Sequence, residues 1–378
     1  MTLRRSFQFG LSAVLVAVLA ACGGGGSDTA PRATVTALRV MGDSLADVGT
    51  YGFKFTIQGN DTYPERVAQS YGLDKGCNFF SFTGTTFAPN AKAGCTNYAI
   101  GNSVIHPASN GFTAADPRGL AVQLAAATAA GNFAAGDLLL VDGGGNDASA
   151  LVGAYLAASK DGGASYLALL GTLLTPAQVN AAAGGGAAGL AAAGGTYMVA
   201  LADKFAAMLQ AGALDKGAQR IALLNMPGIT NTPRFQLVLD SIGAAAGAPA
   251  RAQSEGLFKG WTVAFNTQLA AKFAGNSKVA VVDFYTAFND QVTSPAQFNL
   301  TNVKTPACPI TGAGTDGLPT YSFPTCTDAS LAAAPPTGLT GTGWYKSYAF
   351  SDGFHPTPYG HQLLSQLIAR TLAQAGWL

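Results

Sequence analysis

The sequence predicts an α/β protein, a parallel β-sheet covered by helices on both faces, and three observations carry that prediction. Four apolar runs, 35–41, 137–141, 221–224 and 279–282, have the length of buried strands, and each ends in polar turn residues. Between them lie longer stretches with helix punctuation, and strands alternating with helices imply a parallel sheet. Finally, Ser44, the Gly101-Asn102 turn and Asn146 each follow an expected strand end. Ligands of such sheets bind beyond the carboxyl ends of the strands.

Taken in chain order, the first element is an export signal. Arg4 and Arg5 precede an apolar run from Leu11 to Ala21 that stops at Cys22, too short to span a bilayer as a mature helix. Leu19-Ala20-Ala21-Cys22 resembles a bacterial lipobox, in which the cysteine thiol receives the lipid; ordinary cleavage near Ala21 is the alternative. The expected organisation is a signal peptide at 1–21, a lipid-anchored flexible tether at 22–32 and one domain over 33–378. Buried acyl carbons contribute about 0.8 kcal/mol per methylene, so several chains on Cys22 would anchor firmly.

The run 35–41 delivers Gly42-Asp43-Ser44 to a turn. A helix is expected over 63–71, with Asp61 or Thr62 as cap, Pro64 in the first turn and Gly72 as stop. The second run leads into Asp142-Gly143-Gly144-Gly145-Asn146-Asp147, the third into Asn225 and the fourth into Asp283. Two segments stand outside this alternation. About 150–213 is rich in Ala and Gly and predicts helices interrupted by a flexible loop around Ala181 to Gly186. About 299–343 reads as a long Pro-, Thr- and Gly-containing loop, either a pocket wall before His355 or a surface insertion. An amphipathic closing helix runs to about Ala375, before Gly376.

Composition narrows the function classes. Charged residues are only 11% of 378 and the formal net charge is +1, against roughly 25% charged in typical domains. No basic patch argues for nucleic acid and no acidic tail for disorder. Beyond Cys22, Cys77, Cys95, Cys308 and Cys326 suggest two disulfides in an exported chain, with three possible pairings. The local pairing, Cys77 with Cys95 and Cys308 with Cys326, closes two loops of similar length, each stabilising by about 3 kcal/mol in the chain-entropy model. A zinc site is weakly supported, because no pair has CxxC spacing and histidine is scarce. No metal or cofactor is expected.

The chemistry concentrates at Asp352-Gly353-Phe354-His355-Pro356. A serine hydroxyl is a poor nucleophile at neutral pH, so it needs an imidazole to take its proton and a carboxylate to hold that imidazole in the right tautomer. Of the three histidines, His106, His355 and His361, only His355 has an Asp three residues before it. On a tight turn that spacing folds the carboxylate onto one ring nitrogen and leaves the other for Ser44. Hydrolysis also needs preorganised donors for the oxyanion. Asn146 offers a side-chain amide, and the turns at Ser44 and Gly101-Asn102 offer backbone N–H groups.

Four segments in this order resemble the GDSL or SGNH hydrolases: Gly42-Asp43-Ser44-Leu45, Asn97-Tyr98-Ala99-Ile100-Gly101-Asn102-Ser103, Gly144-Gly145-Asn146-Asp147 and Asp352-Gly353-Phe354-His355-Pro356. Tyr63-Pro64-Glu65-Arg66 and Asn225-Met226-Pro227 are lesser likenesses. The resemblance implies a three-layer α/β/α sandwich with a flavodoxin-like parallel sheet of about five strands. It implies Ser44 as nucleophile, His355 as general base and then acid, Asp352 as its orienting group, and an oxyanion hole from Ser44, Gly101 or Asn102, and Asn146. Many relatives have two glycines where this chain has Gly101-Asn102, so the donor there is open between the two residues.

The remaining conspicuous residues carry smaller expectations. Asp43 and Asp147 read as turn-stabilising partners, His106 as structural or solvent-exposed, and His361 as a capping or packing residue. Phe53, Phe55, Phe79, Phe80, Phe82 and Phe87 read as core or as an apolar pocket lining, and Trp344, Tyr345 and Tyr348 as pocket residues by position. The expected activity is hydrolysis of small-molecule or lipid carboxylic esters through an acyl-serine, at the cell envelope, in the outer membrane, or secreted if Cys22 is not lipidated. An acyltransferase and a phospholipase or lysophospholipase are the alternatives on the same site. A non-catalytic binding lipoprotein is disfavoured by the presence of Ser44, Asn146, Asp352 and His355 together.

Overall fold

The structure is a computed structural model, and it describes residues 34–378; the expected signal peptide, Cys22 and the tether lie outside the described residues. In chain order the strands are β1 (Ala37–Met41), β2 (Phe80–Phe82), β3 (Phe87–Pro89), β4 (Asp137–Val141), β5 (Ile221–Leu224), β6 (Val279–Val282), β7 (Ile310–Ala313) and β8 (Pro319–Tyr321). The four apolar runs form one parallel sheet in the order β1-β4-β5-β6. A fifth position beside β1 is held by a single parallel bridge between Val40 and Asn97. With Asn97 counted second, the spatial order is 2-1-3-4-5, the flavodoxin-like order whose switch point lies between the ends of β1 and β4.

The strands read as continuous apolar runs because both faces are covered. On one face Leu38, Val40, Leu138, Leu140, Ala222, Leu224 and Val282 pack beneath α1 (Tyr63–Ser70), α9 (Phe284–Thr293) and α11 (Pro358–Gln374). On the other, Met41, Leu139, Val141, Ile221 and Leu223 meet α2 (Leu120–Thr128), α3 (Gly145–Asp161), α6 (Gly186–Leu209) and α8 (Ala248–Phe273). Each fully buried aliphatic side chain contributes on the order of 2 kcal/mol. Helix α1 begins as expected: Thr62 and Glu65 form a reciprocal capping box and Pro64 lies in the first turn.

The Ala/Gly-rich segment differs from expectation. It folds into α3, α4 (Ala164–Leu170), α5 (Pro176–Gly184) and α6, and no flexible loop separates α5 from α6. Gly185 alone joins them, and the missing side chain at Gly189 lets the two helices approach backbone to backbone. The remaining helices are α7 (Pro233–Ala246) and the short α10 (Asp328–Ala333).

Cys77 is bonded to Cys95 and Cys308 to Cys326, the local pairing. The second bond closes a loop that carries the β7–β8 hairpin and docks on the chain ahead of Asp352: the N–H groups of Ala307 and Cys308 donate to the carbonyls of Phe350 and Ser351 at 2.9 and 2.8 Å.

Candidate active site

The turn after β1 is held from below on every side. The N–H of Gly42 donates to Gln123 Oε1 at 2.8 Å, and Gln123 Nε2 returns a bond to the Gly42 carbonyl at 3.1 Å. The N–H of Asp43 donates to Asp142 Oδ1 at 2.9 Å, and the Tyr63 hydroxyl donates to Asp142 Oδ2 at 2.5 Å. A Cβ on Gly42 would lie 2.5 Å from Asp142 Oδ1, so only glycine fits there. Asp43 Oδ1 accepts the Leu45 N–H at 3.0 Å, closing the turn that presents Ser44. Burial and the neighbouring Asp142 carboxylate push the Asp43 carboxyl well above its ordinary range.

Ser44, His355 and Asp352 lie in one hydrogen-bonded line. His355 Nε2 is 2.7 Å from Ser44 Oγ, and His355 Nδ1 is 2.9 Å from each oxygen of Asp352. Asp352 Oδ1 also accepts the N–H groups of Phe354 and His355 at 2.8 and 2.6 Å, so the three-residue spacing makes a closed turn. Burial raises the Asp352 pKa, but the charge of His355 and these hydrogen bonds outweigh it, and the carboxyl is held below its ordinary value. The arrangement fixes the ring with Nδ1–H toward the carboxylate, which leaves the Nε2 lone pair for the serine proton.

The candidate oxyanion donors separate cleanly. Gly101 was a candidate, but its N–H donates to Asp47 Oδ2 at 2.8 Å and is not free. The backbone N–H groups of Ser44 and Asn102 have no acceptor among the described residues. Asn102 adopts a left-handed φ of 66°, a conformation that asparagine tolerates. A Cβ at Gly101 would lie 2.3 Å from the Phe55 ring, so that position requires glycine by close approach rather than by φ. Asn146 uses one amide hydrogen on the Ser103 carbonyl at 2.9 Å, leaving the other for a ligand.

These groups open on a cavity of about 260 Å³ at the carboxyl edge of the sheet. Ser44, Asn102, Asn146 and His355 share it with an apolar wall of Pro227, Ile229, Phe284 and Phe288 from the segments after β5 and β6. Asn225 positions that wall: its amide spans Asp283 Oδ1 at 3.0 Å and the Tyr285 N–H at 2.8 Å. Among the described residues no group of three or more His, Cys, Asp or Glu side chains could hold a metal ion.

Other residues fall elsewhere. Asp147 accepts the N–H groups of Ile105 and His106 and the Ser109 hydroxyl; burial lifts its pKa to about 6 against those bonds. His106 is buried beside that turn and pushed down to about 4, chiefly by burial. His361 is fully buried, accepts the Tyr63 N–H on Nδ1 at 3.3 Å and is pushed down to about 3, again chiefly by burial. Trp344, Tyr345 and Tyr348 do not line the cavity. They pack around the Cys308–Cys326 bond, with the indole N–H on the Leu331 carbonyl and the Tyr345 hydroxyl on Asp328. The disulfide loop does reach the site, through Phe323, whose ring centroid lies 5.5 Å from that of His355.

Sequence reasoning missed Gln123, Asp142, Asp47, Tyr63 and Phe323. Their contacts to the site are mostly long-range, and the local signals were Asp142 at a strand end and Tyr63 within Tyr63-Pro64-Glu65-Arg66. A parallel sheet with hydroxyl, imidazole and carboxylate aligned at its switch point is the arrangement of an α/β protein equipped for nucleophilic acyl chemistry. The family model of the GDSL-like Lipase/Acylhydrolase matches residues 38–368, and the chain belongs to that family of ester-bond hydrolases. No curated protein matches it.

Proposed function

We propose that the protein cleaves carboxylic esters through an acyl-Ser44 intermediate, with His355 as base and then acid and Asp352 orienting it. The observation that carries this reading is the 2.7 Å contact between Ser44 Oγ and His355 Nε2, continued at 2.9 Å to Asp352. In the first half-reaction Ser44 Oγ attacks the ester carbon, its proton passes to Nε2, and the alcohol leaves with that proton. Water then enters by the reverse route and releases the acid. The developing oxyanion is met by the N–H groups of Ser44 and Asn102 and by the Asn146 amide.

The size and lining of the cavity support a short to medium acyl chain. The cavity is about 260 Å³, and its wall of Pro227, Ile229, Phe284 and Phe288 is apolar. Anchoring at the bacterial cell envelope through a lipid on Cys22 is part of the same proposal and rests on Leu19-Ala20-Ala21-Cys22.

The experiment is a hydrolysis profile of p-nitrophenyl esters from C2 to C16, with intact-mass detection of the trapped acyl-enzyme. The expected result is a maximum at a short to medium acyl length and a fall toward C16, with the acyl mass on the peptide containing Ser44. An acyl mass on any other residue would contradict the assignment, and, with glycerol added to the assay, glycerol ester accumulating in place of free acid would make the protein an acyltransferase.

A further inference from the structure

We infer that the aromatic rings ranged outward from His355 bind the alcohol half of the ester, and that this half is aromatic or otherwise bulky and apolar. The inference rests on the acyl-Ser44 reading above. In acylation the Ser44 Oγ–carbon bond forms, the carbon–oxygen bond to the alcohol breaks, and the proton from Ser44 reaches the leaving oxygen through His355 Nε2. That oxygen must therefore stand within hydrogen-bond reach of Nε2 while the carbonyl oxygen faces Asn102 and Asn146. The acyl chain takes the remaining direction, toward Ile229 and Phe288, and the substituent on the leaving oxygen falls beside the imidazole.

The imidazole is flanked there by rings. Phe55 lies 5.1 Å from it and Phe323 5.5 Å, centroid to centroid, and the two are 5.5 Å from each other. Phe53 follows at 5.3 and 6.1 Å from these two, Tyr51 at 6.0 Å from Phe53, and Phe82 at 5.2 Å from Tyr51. Phe323 is buried, Phe55, Phe53 and Tyr51 are half-buried, and Phe82 is 39% exposed. The series leads from the catalytic cavity, where Phe55 forms part of the wall, to Phe82 at the surface. The Cys308–Cys326 bond fixes Phe323, since the Cys326 carbonyl also accepts the Gln58 N–H at 2.8 Å. Phe55 and Tyr51 also support the oxyanion turn, by ring contact at Gly101 and by the Tyr51 hydroxyl on the Gly101 carbonyl at 3.1 Å. Phe53 and Phe82 make no direct contact with that turn or the imidazole, and an ester with a small alcohol separates an alcohol contact from any effect passed on through Phe55 or Tyr51.

The test uses two esters that share an acyl group, methyl butyrate and 1-naphthyl butyrate, with the full protein and its Phe53→Ala, Phe53→Trp and Phe82→Ala variants. Both esters give the same butyryl-Ser44, so an alcohol contact changes acylation and leaves deacylation untouched. The expected result is a fall in kcat/KM for the naphthyl ester of roughly threefold to tenfold in Phe53→Ala, the value of one aromatic contact. A smaller fall is expected in Phe82→Ala and recovery in Phe53→Trp, with methyl butyrate and the decay of butyryl-Ser44 unchanged. Equal losses on both esters, slower decay of the acyl-enzyme, or no change in either alanine variant would overturn the inference. Turnover by the wild type without any butyryl-Ser44 would overturn the acyl-enzyme reading itself, and this inference with it.

Discussion

Asp47 accepts the backbone N–H of Gly101 at 2.8 Å, which occupies that donor, whereas the N–H of Asn102, a residue of the cavity wall, has no acceptor among the described residues. The same carboxylate takes the N–H groups of Gly49 and Thr50, so it ties the segment after Ser44 to the second turn. The consequence is that position 102 is needed for its backbone and position 101 for its lack of a side chain. Asn102→Gly keeps the N–H and adopts positive φ freely, so kcat is expected within about threefold of wild type. Gly101→Ala drives a methyl into the Phe55 ring, and a shift of about 1 Å in the turn costs on the order of 10²-fold in kcat. Steady-state kinetics of the two variants check this; the reverse order would contradict it.

Asn146 is expected to act on the transition state rather than on substrate binding. Asn146→Ala should lower kcat by about 10²- to 10³-fold with KM nearly unchanged, as for loss of one oxyanion donor. A rise in KM at constant kcat would assign the amide to ground-state binding instead.

Beneath the Ser44 turn, Tyr63→Phe removes the hydroxyl that donates to Asp142 and leaves a buried carboxylate short of one donor. The expected cost is about 1–3 kcal/mol of stability, read from urea unfolding, together with a reduced kcat because Asp142 also holds the Asp43 N–H. Unchanged stability and rate would show that the turn does not depend on this contact.

His361 makes the fold acid-sensitive. Its pKa is pushed down to about 3 in the folded chain by burial, against about 6.5 when unfolded. Between those values the unfolded chain binds a proton that the folded chain does not, so the His361 contribution to stability falls as pH drops below 6.5. His361→Gln should therefore reduce the stability lost between pH 7 and pH 4.5, by on the order of 2 kcal/mol. Equal losses in both proteins, measured by urea midpoints, would contradict it.

Much of this arrangement was legible in the sequence, for physical reasons. Buried parallel strands advertise themselves as short apolar runs, and the Asp352–His355 turn is local, so its hydrogen bonds follow from spacing. The bonds of Gln123 and Asp142, and that of Asp47 to Gly101, were illegible because they reach backbone brought near by tertiary folding: Gln123 reaches Gly42 across 81 residues of chain. Trp344, Tyr345 and Tyr348 misled because nearness in sequence to His355 does not fix direction, and their rings turn toward the Cys308–Cys326 bond. Phe323, inside the same loop, turns the other way and meets the imidazole. The stretch around Ala181 to Gly186 read as a loop, yet Gly185 and Gly189 lack side chains where α5 and α6 approach backbone to backbone.

The central claim is that Ser44 is the nucleophile, and the most direct measurement compares p-nitrophenyl butyrate hydrolysis by wild type and Ser44→Ala under identical conditions. A loss of about 10⁶ in kcat is expected, the scale for removing such a nucleophile, with the variant still folded by circular dichroism. Turnover by folded Ser44→Ala equal to that of wild type would contradict it.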